Sequence, residues 1–146
     1  MSTRTTFIVD TNVVVAGLLA VNPASPVARV LDGMLAAAFP YAVSEALLGE
    51  YCTVLLRPAL RKLHALSVDE VERLLVDVVQ QAIVLQRAEP TGARTGRSRA
   101  PDPGDQFLWE LGSRRDLVLI TGEKRLLADK GMQGWVMSAC AFVDDR

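Results

Sequence analysis

The feature that most constrains this chain is a short apolar strand that stops at a polar turn and leads into a helix, and it occurs more than once. Phe7-Ile8-Val9 stops at Asp10-Thr11-Asn12, and Leu117-Val118-Leu119-Ile120 stops at Thr121-Gly122-Glu123. Runs this short and apolar, bounded by turn-forming residues, read as strands. Asp and Asn after the first run favour a helix start, so a helix is expected from about Val13. Strands alternating with helices at crossover lengths imply a parallel sheet, because a parallel neighbour is reached only by crossing over one face. The expected fold class is α/β, a central parallel sheet with helices on both faces.

The remaining chain is consistent with that reading. Val27, Val30, Leu31, Met34 and Leu35 recur at helical spacing after Pro26, and Tyr41-Ala42-Val43 is a brief strand. Ser44 begins a helix that runs to about Leu56, where Arg57-Pro58 stops it. Ser67-x-x-Glu70 forms a capping box before an amphipathic helix with Val71, Leu74, Leu75, Val78 and Val79 on one face. A strand is expected around Ala82 to Leu85, followed by a polar, arginine-rich stretch from Arg87 to Arg99 that is a loop or lid candidate. Asp102-Pro103-Gly104-Asp105 opens a helix to about Ser113. A short helix from Lys124 to Ala128, a weak strand at Trp135 to Met137 and a terminal turn at Ser138 to Val143 complete the chain. No repeat or linker interrupts it, so a single domain over residues 1–146 is expected.

Composition sets the outer limits. With 50% apolar residues among 146, the chain can bury a sizeable core. Sixteen basic residues against 17 acidic ones give a net charge of -1, which excludes a uniformly basic coat for nucleic acid. No apolar run approaches a membrane span, and Met1 to Thr6 lacks the build of a signal peptide, so a soluble, cytoplasmic protein is expected. Cys52 and Cys140 lie far apart without a CxxC pattern and read as small buried hydrophobes rather than metal ligands or a disulfide.

The chemistry lies in where individual acids fall. Ligands of open parallel sheets bind beyond the carboxyl ends of the strands. Asp10 and Glu123 follow two strands directly, Glu50 lies on a helix after a third, and Asp105 lies in the first turn of a helix entering the same edge. Four carboxylates converging there would oppose one another's ionisation unless a cation joined them. An oxygen-only donor set suits Mg²⁺ or Mn²⁺. Each acid also has a plainer reading. Asp10 can cap a helix, Asp102 and Asp105 can serve as N-cap and first-turn acid around Pro103, Glu50 can sit with Arg57 at a solvated helix edge, and Glu123 can be a surface charge. His64, the one histidine, lies among Arg57, Arg61 and Lys62, and is read as a phosphate contact or a surface residue.

Four motifs taken together resemble the PIN-domain nucleases, in particular the VapC-type toxins of type II toxin–antitoxin pairs. They are Phe7-Ile8-Val9-Asp10-Thr11-Asn12-Val13, Ser44-Glu45-x-x-Leu48-x-Glu50 with Leu55-x-Arg57-Pro58, Asp102-Pro103-x-Asp105-x-x-Leu108, and Leu119-Ile120-Thr121-Gly122-Glu123-Lys124. The resemblance implies a PIN-like, Rossmann-like three-layer sandwich and a metal-dependent endoribonuclease. It implies Asp10, Glu50 and Asp105 as the catalytic, metal-binding acids, Asp102 and Glu123 as further candidate ligands, and Asn12 and Thr121 as polar residues supporting them. The family usually carries Asp where this chain has Glu123. Substrate phosphates would be met by Arg57, Arg61 and Lys62 on one side and by Arg94, Arg97 and Arg99 on the loop, with Lys124 nearby. RNA, a cognate antitoxin and a second copy of the chain are the implied partners. The apolar stripes at Val27 to Leu35 and Val71 to Val79 are candidate association faces or core. Two competing functions are a PIN-fold binding module without catalysis and a phosphoacceptor domain using Asp10; the second leaves Glu50 without a role.

Overall fold

The two apolar runs that end in polar turns lie side by side at the centre of the sheet. In the computed structural model, which describes residues 5–85, 117–128 and 136–144, β1 (Thr6–Val9) pairs in parallel with β4 (Leu117–Ile120), placing Val9 opposite Ile120. β5 (Val136–Met137) continues on the far side of β4, with Ile120 opposite Met137. β2 (Ala42–Ser44) and β3 (Ile83–Leu85) form a second parallel pair with Val43 opposite Val84. A single bridge between Phe7 and Tyr41 joins β2 to β1. The strand order is therefore β3-β2-β1-β4-β5, all parallel.

Seven helices are present among the described residues: α1 (Thr11–Leu19), α2 (Pro26–Leu35), α3 (Glu45–Leu55), α4 (Pro58–His64), α5 (Val68–Gln81), α6 (Lys124–Ala128) and α7 (Ala139–Asp144). Local chemistry starts most of the long ones. Asp10 caps α1 in an extended conformation, Ser25 caps α2 ahead of Pro26, and Ser44 accepts a hydrogen bond from the Leu47 N–H at the head of α3. At α5 both halves of the capping box form: Ser67 Oγ accepts from the Glu70 N–H at 3.1 Å, and Glu70 Oε1 accepts from the Ser67 N–H at 3.0 Å.

The core lies on both faces of the sheet, as an α/β sandwich in three layers requires. Ile8, Val9, Val43, Leu119 and Ile120 are buried although neighbouring residues point to opposite faces. The α2 stripe contributes Val30, Leu31 and Met34 to the core, and the α5 stripe contributes Val71 and Val78. Phe7, Phe39 and Phe142 pack edge to face with centroids 4.7–5.8 Å apart and tie α7 to the sheet.

The structure departs from the sequence expectations in several places. Pro58 does not only end α3; it occupies the first turn of α4, where its missing N–H costs nothing. The expected terminal turn after Ser138 is a helix, with Ser138 Oγ accepting from the Ala141 N–H at its head. Cys140 is exposed and Cys52 half-buried, and both are free thiols, so neither is a fully buried hydrophobe. Among the described residues no helix is long and apolar enough to cross a membrane. The Arg87 to Arg99 stretch, the helix expected from Asp102 to Ser113, and Trp135 lie outside the described residues.

Candidate active site

The chain runs from β1 outward through β2 to β3, then returns to the other side of β1 as β4. At such a reversal the connections leave in opposite directions, and a crevice opens beyond the strand ends. Asp10 and Thr121 are the residues immediately past β1 and β4.

Asp10 is only 6% exposed. Its backbone N–H continues the ladder to the Ile120 carbonyl at 2.8 Å. Its carboxylate accepts from the Thr11 N–H at 2.8 Å, from the Thr121 hydroxyl at 2.6 Å and, more weakly, from the Asn12 amide at 3.4 Å. The Thr121 hydroxyl accepts in turn from the Glu123 N–H at 3.0 Å, so one oxygen both orients Asp10 and shapes the turn after β4. Asn12 Oδ1 accepts from the Gly122 N–H at 3.0 Å, tying the two strand-end turns together. The cap and the site are thus one arrangement: the residue that starts α1 is also the carboxylate held at the crevice. The Thr11 hydroxyl, buried beside it in sequence, has no hydrogen-bond partner among the described residues.

Glu50 is half-buried on α3, next to the fully buried Tyr51. The Tyr51 hydroxyl donates to the carbonyl of Val9, the residue before Asp10. Burial pushes that phenol well above its ordinary pKa, and the charges of Asp10, Tyr41 and Glu50 act in the same direction. Both carboxylates therefore act electrostatically on one side chain. Sequence reasoning missed Tyr51, although it sits one helical turn from Leu47 and Leu55, and a tyrosine buried on such a stripe needs a hydrogen-bond partner for its hydroxyl.

Beside Asp10, an open cleft of about 470 Å³ is lined by Asn12, Val13, Ala16, Gly122, Glu123 and Lys124 among others. Glu123 reaches this cleft, but its Oε1 is also 3.4 Å from Arg125 Nε in a surface ion pair. Arg57, Arg61 and Lys62 are exposed on and before α4. Arg61 and Lys62 line a different cleft, shared with Pro58, Ser67 and Glu70. His64 is not a free surface group: Nδ1 accepts from the Leu66 N–H at 3.0 Å, which leaves Nε2 to donate to the Leu55 carbonyl at 2.8 Å. It fastens the end of α3 to the end of α4, which replaces the phosphate-contact reading. Asp102, Asp105, Arg94, Arg97 and Arg99 lie outside the described residues.

The donors gathered around Asp10 are carboxylate, hydroxyl and amide oxygens, which match a hard divalent cation in kind. The Asp10 hydrogen bonds from Thr11, Asn12 and Thr121 all come from neutral donors. Among the described residues no group of three or more His, Cys, Asp or Glu side chains gathers at one point.

A PIN-domain family model matches residues 6–125 of the chain. The chain belongs to the PIN-domain family, whose members are generally nucleases and typically use divalent metal ions. A comparison with curated proteins returns no match.

Proposed function

We propose that this protein is a Mg²⁺- or Mn²⁺-dependent endoribonuclease and the toxin of a type II toxin–antitoxin pair. The observation that carries the reading is Asp10, buried at the sheet reversal and fixed there by the Thr121 hydroxyl and the Asn12 amide. In this reading Asp10, Glu50 and Asp105 hold the metal, with Asp102 and Glu123 as additional ligands or ligands of bound water. When bound, the divalent ion promotes ionisation of the attacking water and neutralises charge growing on the phosphoryl and leaving oxygens. Thr121 and Asn12 hold the Asp10 carboxylate in one orientation, so the protein need not reorganise it during reaction. Lys124, which lines the cleft beside Asp10, meets the RNA backbone, and Arg57, Arg61, Lys62 and Arg97 are further phosphate contacts in this reading. A single domain over residues 1–146, a cytoplasmic location, a cognate antitoxin and a homodimer belong to the same proposal.

The test is cleavage of labelled RNA by purified protein, with and without EDTA, beside Asp10→Asn. Cleavage that depends on metal and on Asp10 is expected. Cleavage persisting in either control would remove the metal-acid assignment. The ion pair between Glu123 and Arg125 favours one competing reading, a PIN-fold RNA- or protein-binding module without catalysis. Absence of any Mn²⁺ binding in a titration would select it.

A further inference from the structure

The peptide that precedes Asp10 has an unusual position in the sheet. Its N–H, on Asp10, donates to Ile120 on β4. In a trans peptide the carbonyl points the opposite way, so the Val9 carbonyl faces the β2 side. There, among the described residues, β2 is joined to β1 by the bridge at Phe7 and Tyr41, two residues earlier along β1. Past that bridge no further β1–β2 pair is found among the described residues, and a buried carbonyl without a ladder partner would be costly. The Tyr51 hydroxyl supplies the missing donor, from a side chain that is 0% exposed.

We propose that Tyr51 is a positioning residue: through its hydrogen bond to Val9 it fixes the separation between Asp10, the residue just past β1, and Glu50, its own neighbour on α3. The bond connects the two elements that carry these acids by a short, rigid aromatic side chain with two rotatable torsions. Its loss would leave each acid on an intact element while loosening the distance between them. The inference rests on the proposed metal-binding role of Asp10 and Glu50.

The chain contains an internal control. Its other tyrosine, Tyr41, is equally buried and donates to the Val78 carbonyl at 2.6 Å, a buried tyrosine–carbonyl bond of the same kind between the residue before β2 and α5. Tyr41→Phe and Tyr51→Phe should therefore lower the melting temperature comparably. Mn²⁺ titration of the full chain by calorimetry, well below the lower of the two melting points, should show unchanged affinity for Tyr41→Phe and about tenfold weaker affinity for Tyr51→Phe. Equal Mn²⁺ affinity in wild type and Tyr51→Phe would overturn the positioning role and leave the metal-binding reading intact. An equal loss in both variants would likewise overturn it, showing only general loosening. A wild-type protein that binds no Mn²⁺ would overturn the metal reading and this inference with it.

Discussion

Thr121 shows how much one hydroxyl can be asked to do. It donates to the Asp10 carboxylate and accepts from the Glu123 N–H, so its proton and a lone pair are both committed. Replacing it with valine keeps the shape, removes both bonds and leaves polar groups behind. Thr121→Val should lower RNA cleavage about 10- to 100-fold and stability by about 1–3 kcal/mol. Thr121→Ser should retain most of both, as read by single-turnover kinetics and urea unfolding. The residues of this site differ in how visible they were in the sequence. Asp10 stands out because it directly follows an apolar strand, and the structure shows that one side chain both capping α1 and accepting from Thr121 past β4. Tyr51 and His64 were obscured because their roles are bonds to main-chain carbonyls on other elements, which residue type alone does not reveal.

At the scale of elements, boundaries written in local chemistry were legible and boundaries set by packing were not. Ser67 and Glu70 announce α5, and Leu117–Ile120 announces β4, because caps and apolar runs act over a few residues. The start of α4 was hidden because Arg57-Pro58 serves both as a stop for one helix and as the first turn of the next. α7 is only six residues and depends on Phe142 packing into the aromatic cluster. Its existence follows from tertiary contact. Two predictions belong here. The capping box holds the Glu70 carboxyl below its ordinary pKa of 4.5, chiefly through the Ser67 backbone N–H. Its folded pKa being depressed, Glu70 contributes stability above pH 4.5 that is lost as the pH falls toward the folded value. Glu70→Gln should accordingly flatten the acid limb of the urea midpoint against pH and leave the limb above neutrality unchanged. The second concerns a close contact between α1 and α2 at Gly17. A Cβ at Gly17 would lie 2.6 Å from the Val27 carbonyl oxygen and 3.0 Å from Leu31 Cβ. Gly17→Ala must push the helices apart, and a loss of about 1–3 kcal/mol is expected despite alanine's better helix propensity. Equal or higher stability in denaturant would show that α2 moves without cost.

For the whole molecule, the proposed ion is a stabiliser as well as a participant in reaction. A ligand bound only by the folded state at about 100 times its Kd adds about 2.7 kcal/mol. In a chain of this size that corresponds to a rise in Tm of about 5–10 °C. Mn²⁺ should produce this shift in wild type, EDTA should reverse it, and Asp10→Asn should abolish it in a thermal melt. The near-neutral charge does not oppose such a reading, since a site needs a few acids and cations in place and not a uniformly basic coat. The bond between Thr121 and Asp10 spans 111 positions of sequence. During synthesis, which proceeds at about 5–20 residues per second, the first acid of the site is made many seconds before the hydroxyl that fixes it. A ribosome-bound chain carries an unfinished centre until β4 and its turn have emerged. In the proposed reading, the topology withholds RNA-cutting capacity until β4 and its turn have been made and have joined β1.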